Sequence, residues 1–230
     1  MVLSSHQPNF VPYMGFFYKL MQSDIVVMSE DVQFSKKGMH NWNRIYTQNG
    51  VRKLTVPVHA HHDMPLSEIF VVDHKYSIPK IAKSLEQEYR KAPCFDEGME
   101  LVAWMASHVY RSNLKMVDLN VNLISFVMDK FDIRTKILRS TTDLKVSGHK
   151  DERIFQMCEQ TGADVYYSGT GAKAYHQEEE YERRGICLTY SDYKPVEYNQ
   201  IHGCFEPNLS VIDYIFNNGY TLPEGWRRNQ

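Results

Sequence analysis

Cysteine is scarce, and none of it is paired in sequence. The 230-residue chain has four cysteines, Cys94, Cys158, Cys187 and Cys204, with no C-x-x-C spacing among them. A structural zinc site or a thioredoxin-like centre announces itself through close pairs, so reduced, mostly buried thiols are expected. Long apolar runs are missing as well. None approaches the roughly 20 residues that cross a bilayer, and the first residues lack a charged n-region ahead of an apolar core. The expected location is the cytoplasm, with no membrane partner. Charge of one sign is also lacking: 26 Lys+Arg against 28 Asp+Glu leave a formal net charge of -2. No basic surface is implied, so nucleic acid is not an expected partner. What is present is apolar mass, 43% hydrophobic residues. That is enough for one α/β domain over residues 1–230, with residues 77–131 as a helical cap or flank.

The chain opens on a βαβ pattern. Val2-Leu3-Ser4-Ser5 can form a strand and runs into His6-Gln7-Pro8-Asn9-Phe10. Tyr13 to Met21 then has helical spacing, and Asp24 to Met28 reads as a second strand. Such crossovers build parallel sheets, and open α/β sheets bind ligands beyond the carboxyl ends of their strands. His6, Gln7 and Asn9 follow the first strand. Glu30, Asp31, Gln33, Lys36 and Lys37 follow the second, so both sets are expected at one sheet edge. The fold class predicted is therefore α/β, a Rossmann-like open and mostly parallel sheet with a helical insertion or flank.

Further along, residues 50–58 read as a strand, with Pro57 suggesting a strand end. Residues 77–92 and 97–131 are helical by period, the second stretch as two packed helices that include Val109. Ser77-Ile78-Pro79 is expected to start the first of these, with serine as cap and proline in the first turn. His59, His61, His62 and Asp63 lie in a loop after a strand with no second ligand cluster, which reads as an exposed histidine-rich loop and no metal site. Residues 133–138 read as a strand, 151–161 as a helix stopped by Gly162, and 164–168 as another strand. After it comes Gly169-Thr170-Gly171-Ala172-Lys173-Ala174-Tyr175-His176, a glycine-rich turn expected to open a helix. Glycines let backbone N–H groups approach an anion, and Lys173 adds a full positive charge, although the spacing is not that of a P-loop.

Several blocks carry a family resemblance. His6-Gln7-Pro8-Asn9-Phe10 with Pro12 and Gly15-Phe16-Phe17-Tyr18-Lys19, Asp31-Val32-Gln33-Phe34-Ser35-Lys36-Lys37, Asn41, Asn43-Arg44-Ile45 and Leu54-Thr55-Val56-Pro57-Val58 resemble the WbqC-like proteins. So do Tyr167-Ser168-Gly169, Gly171 to Tyr175, and Leu209-Ser210-Val211-Ile212-Asp213. Trp42 stands where the family pattern has an arginine, removing one cation, and Glu30 where it has aspartate. The resemblance implies a bacterial, cytoplasmic protein connected with surface-polysaccharide synthesis. It does not supply a reaction. The opening unit is also similar in layout to nucleotidyl-transfer domains, yet Pro12-Tyr13-Met14-Gly15 replaces their H-x-G-H motif, so that likeness bears on fold only.

Three function classes follow. In the first, an acyl or aminoacyl group passes from an activated, carrier-bound or free thioester to the amine of a nucleotide-linked sugar. His6 accepts the amine proton, Asn9 and Asn43 stabilise the oxyanion, and Asp31 completes the catalytic set. Lys36, Lys37, Arg44 and Lys173 hold the pyrophosphate. Gln7, Tyr13, Ser168, Gly169, Gly171 and Tyr175 line the substrate, with Tyr13 placed to stack on it. This route requires no cofactor, no metal and no protein nucleophile. The second class is nucleotidyl or adenylate transfer, and the third a noncatalytic nucleotide-sugar binding subunit.

Overall fold

The computed structural model describes residues 1–61, 63–107 and 113–226. Strand β1 (Val2–His6) leads through α1 (Met14–Met21) to β2 (Ile25–Met28). A hairpin follows, β3 (Trp42–Thr47) and β4 (Gly50–Thr55), and then a two-residue ladder of β5 (Val58–His59) with β6 (Phe70–Val71). Three helices come next: α2 (His74–Tyr89), α3 (Phe95–Ser107) and α4 (Met116–Lys130). The chain returns to α/β order with β7 (Lys136–Arg139), α5 (Lys150–Thr161), β8 (Val165–Ser168), α6 (Glu178–Arg183), β9 (Cys187–Tyr190) and α7 (Val211–Asn218).

Five strands form one all-parallel sheet in the order β7-β2-β1-β8-β9. Parallel sheets survive only when both faces are covered, and β2 shows it: all four of its residues are buried. Val26 and Met28 join the larger core with Phe16, Phe17 and Leu20 of α1 and the apolar faces of α2, α3, α4 and α7. Ile25 and Val27 face the other way, onto Ile154, Phe155 and Cys158 of α5 and Tyr181 of α6. The fold is thus a Rossmann-like open α/β sandwich, with seven α-helices among the described residues. Apolar residues of the 77–131 region share the core of the first face.

Strand order reverses at β1, whose neighbours are β2 on one side and β8 on the other. The ladders differ there. The β1–β2 ladder runs to His6–Met28 and the β8–β9 ladder to Ser168–Tyr190, but the β1–β8 ladder stops at Leu3–Tyr166. Beyond Leu3–Tyr166 no ladder pair joins the two strands, and this switch point at the carboxyl edge is where open α/β sheets hold ligands.

Several local expectations are corrected. The 50–58 stretch divides at Val56-Pro57 into β4 and β5, because proline has no N–H to give a ladder. Helix α2 begins at His74, so Ser77 does not cap it and Pro79 lies inside it; the Ser77 hydroxyl donates to the Val72 carbonyl (3.4 Å). The glycine-rich turn opens only a 3-10 turn, Thr170–Ala172, and α6 starts at Glu178, since glycine carries a high entropic cost in a helix. Cys187 and Cys204 are exposed, not buried. Gly162 does end α5, at φ 71°. Val109 and His62 lie outside the described residues.

Candidate functional site

The loop after β1 is held from every side. Asn120 of α4 donates its two amide hydrogens to the carbonyls of Pro8 (2.8 Å) and His40 (2.7 Å), tying this loop to the one after β2. The Phe10 N–H donates to the Met39 carbonyl (2.9 Å). Asn43 gives both amide hydrogens to the Phe10 and Val11 carbonyls (3.0 and 2.9 Å), and the Ser210 hydroxyl also donates to Val11 (2.8 Å). These bonds hold Val11 at φ 36°, a conformation that a β-branched residue reaches only under outside constraint. The loop is therefore preorganised, and it fixes where His6 and Asn9 sit.

His6 closes β1 with its ring edge-on to Phe16 (4.8 Å). Its Nδ1–H donates to the Gln7 carbonyl (2.8 Å), which leaves the Nε2 lone pair as acceptor. Burial, with the nearby Lys19 cation adding to it, pulls His6 down to about 4, so the ring is neutral at physiological pH. Lys19 itself is pulled down to about 8 by burial, and its ammonium donates to the Ser5 carbonyl (2.8 Å). His40 is lowered to about 4 for the same reason. Among the described residues, Asn9 Oδ1 and His40 Nδ1 are buried without a hydrogen-bond partner. Such atoms are costly unless a ligand or water meets them.

On the neighbouring strand, Ser168 ends β8 at 2% exposure, and its Oγ lies 2.8 Å from His176 Nε2. His176 Nδ1 lies 2.6 Å from Asp151 Oδ1. A carboxylate only accepts, so Nδ1 carries the proton, Nε2 is the acceptor and the Ser168 hydroxyl is the donor. Asp151 is anchored in turn by the Gln177 N–H (2.8 Å) and the Tyr181 hydroxyl (3.0 Å). Burial works to raise this carboxyl, but those bonds and His176 together hold it below the usual carboxylate range. The chain pattern is that of a serine activated through a histidine oriented by an acid. Its members lie eight and twenty-five residues apart, with no local motif to mark them.

On the β2–β7 side the same edge is saturated with ion pairs. Glu30, fully buried, accepts from Arg139 Nε (2.6 Å) and the Thr141 hydroxyl (2.7 Å), and Arg139 also reaches Asp118 (2.7 Å). Asp31 accepts both Arg153 nitrogens (2.6 and 2.8 Å) and the Ser140 hydroxyl (2.5 Å). Burial works to raise Asp31, and these partners outweigh it and hold the carboxyl low.

The sequence-predicted residues therefore divide. His6 and Ser168 end β1 and β8, and Gln7, Asn9, Gly169, Gly171, Lys173 and Tyr175 follow them at the carboxyl edge, with the Lys173 ammonium over the Tyr190 ring at 5.3 Å. Tyr13 leads into α1 with its ring against Tyr193 (5.8 Å). Lys36 and Lys37 are exposed in the turn before β3. Asn43 has both amide hydrogens committed to backbone, Asp31 sits in the ion-pair lattice, and Arg44 is engaged by Glu206 (3.1 Å) and the Pro207 and Asn208 carbonyls. No group of three or more His, Cys, Asp or Glu that could hold a metal occurs among the described residues.

An open all-parallel sheet whose strand order reverses at β1, with a preorganised loop at its carboxyl edge, defines the class: a Rossmann-like α/β protein. The chain belongs to the WbqC-like protein family, whose model matches residues 7–223. It is also 29% identical over 221 residues to the uncharacterized protein Rv1507c of Mycobacterium tuberculosis, a match that covers 95% of this chain and 94% of that one. No solved structure matches the chain. No helix among the described residues is long and apolar enough to cross a membrane.

Proposed function

We propose that the protein is a transferase that moves an acyl or aminoacyl group from an activated thioester to the amine of a nucleotide-linked sugar, in bacterial surface-polysaccharide synthesis. The observation that supports this reading is the end of the β1–β8 ladder at Leu3–Tyr166, the switch point of the sheet, with the neutral His6 closing one strand and the glycine-rich turn and Lys173 following the other. The turn and its lysine suit a pyrophosphate. His6 Nε2 accepts a hydrogen bond from the incoming amine and draws its proton in the transition state, and the unpartnered Asn9 Oδ1 receives a second polar hydrogen of the acceptor. The family's association with polysaccharide genes supports the choice of a sugar amine.

The test is a thermal-shift screen of the folded chain against nucleoside triphosphates, nucleotide-linked amino sugars and acyl thioesters, followed by mass spectrometry of the mixed reaction. A ligand that binds only the folded state raises its melting temperature by mass action. The expected result is a shift with an amino-sugar nucleotide and formation of its amide when a thioester is added. His6→Asn should then lower turnover by roughly 10²- to 10⁴-fold without unfolding the protein. A shift with triphosphates alone, with pyrophosphate released, would replace this reading with nucleotidyl transfer. Binding of the sugar nucleotide without product from any donor would make the protein a binding subunit.

A further inference from the structure

We infer that Ser168 is a covalent nucleophile that carries the acyl group as a serine ester between donor and acceptor. The inference rests on the acyl-transfer reading proposed above and adds to it a protein-bound intermediate. Its geometry is independent of that reading: Ser168 Oγ to His176 Nε2 at 2.8 Å, His176 Nδ1 to Asp151 Oδ1 at 2.6 Å, and Asp151 fixed by the Gln177 N–H and the Tyr181 hydroxyl.

Structural serines at the end of a buried strand have no need of such a relay. The Ser168 hydroxyl has a backbone acceptor beside it, the Gly169 carbonyl at 3.3 Å, yet its shorter contact is to the imidazole. The His176 side chain is only 5% exposed and Asp151 12%. The imidazole is also boxed by aromatic rings, those of Tyr166 (6.0 Å), Tyr181 (5.5 Å) and Tyr190 (6.1 Å). A ring so confined cannot turn away from the hydroxyl, which keeps the base aligned with its proton. Apart from the adjoining residues of the chain, no heavy atom lies within 4 Å of the position that a Cβ on Gly169 would take, and the same is true at Gly171, so the turn after Ser168 is open.

The steps balance without oxidant or reductant. Ser168 Oγ attacks the thioester carbonyl carbon as its proton passes to His176 Nε2. The C–S bond breaks, and the sulfur leaves with that proton as a thiol. The sugar amine then attacks the ester carbon; on this covalent route its proton goes to His176 Nε2, which replaces His6 as the base, and His6 Nε2 keeps only the hydrogen bond that orients the amine. The C–O bond to Ser168 breaks, and that proton returns to Oγ. The net reaction is thioester plus amine to amide plus thiol.

The experiment is exposure of the full folded chain to an alkyl fluorophosphonate, which esterifies activated serines and needs no knowledge of the natural donor. Intact mass and peptide mapping should show one adduct, on Ser168. Ser168→Ala should abolish it. His176→Gln and Asp151→Asn, shown to be folded by circular dichroism, should slow it by roughly 10²- to 10⁴-fold. No adduct on Ser168 in the folded parent, or labelling of His176→Gln at the parent's rate, would overturn the inference. So would a Ser168→Ala protein that forms the amide at the parent's rate, an outcome that leaves the acyl-transfer reading standing. Labelling of Ser168 together with failure of every amino-sugar nucleotide to shift the melting temperature would instead remove that reading and leave the activated serine.

Discussion

Two polar clusters occupy the same edge of one sheet, and they are built on opposite plans. On the β2–β7 side, Glu30 and Asp31 each meet an arginine and one or more hydroxyls, so every charge ends on a charge of the other sign. On the β8 side, Asp151, His176 and Ser168 form a chain with direction, from a fixed carboxylate through one imidazole to the hydroxyl that ends the strand. A closed lattice resists change and offers nothing to a substrate. A directed chain leaves one reactive atom at its end. The first cluster is therefore a wall, and the second is where chemistry is expected.

That contrast is open to direct attack, beginning with the largest effect. Arg139→Ala leaves the fully buried Glu30 carboxylate without its cation, and removal of one partner of a buried pair costs about 3–5 kcal/mol. Urea denaturation should show a loss of that size, while the molecules that remain folded keep fluorophosphonate labelling at Ser168 near the parent rate. Arg153→Ala is smaller, because Asp31 keeps the Ser140 hydroxyl and is itself partly open to solvent. The expected loss is about 1.5–3 kcal/mol by the same measurement. Ser168→Ala removes a single hydrogen bond and should cost about 1 kcal/mol, yet eliminate labelling altogether. If the relay variants unfold the protein as severely as Arg139→Ala does, the distinction between wall and relay is gone.

Acid offers a gentler probe. His6 and His40 both have folded values near 4 against an ordinary 6.5. Between those values the unfolded chain binds the protons and the folded chain does not, so stability is lost as pH falls from 6.5 towards 4. Melting temperature should decline through that window, and His6→Gln with His40→Gln should flatten the decline. The smallest effect is expected at Lys173. As an exposed residue it should change stability by no more than about 0.5 kcal/mol on Lys173→Ala. Calorimetric titration should nevertheless show a nucleotide-linked sugar bound about tenfold to a hundredfold more weakly.

The opening unit was legible because its strands and helix follow simple periods: β2 is apolar throughout and α1 places Phe16, Phe17 and Leu20 on one buried side. Strand β3 was not, since its buried face carries Asn43 and Thr47 beside Ile45, the reverse of what an apolar alternation leads one to expect. Strand β9, only Cys187-Leu188-Thr189-Tyr190, is too short and mixed to stand out. At the site, His6 and Ser168 could be placed by the rule that strand ends converge. Asp151 and His176 could not, because the first looks like an ordinary first-turn acid of α5 and the second like a residue of an exposed turn. Only the packing of α5 beneath β8, through Phe155 and Cys158, brings Asp151 under His176. Arg44 shows the opposite error: a cation that looked available in the sequence is met by Glu206, 162 residues away.

The central claim is that the carboxyl edge of β1 and β8 holds the acceptor, and hydrogen exchange measured with and without a uridine diphosphate-linked amino sugar tests it most directly. The account predicts slowed exchange in residues 6–13 and 168–176, with residues 29–31 and 139–141 unchanged. Slowed exchange confined to the β2–β7 side, or to the hairpin of β3 and β4, would contradict it.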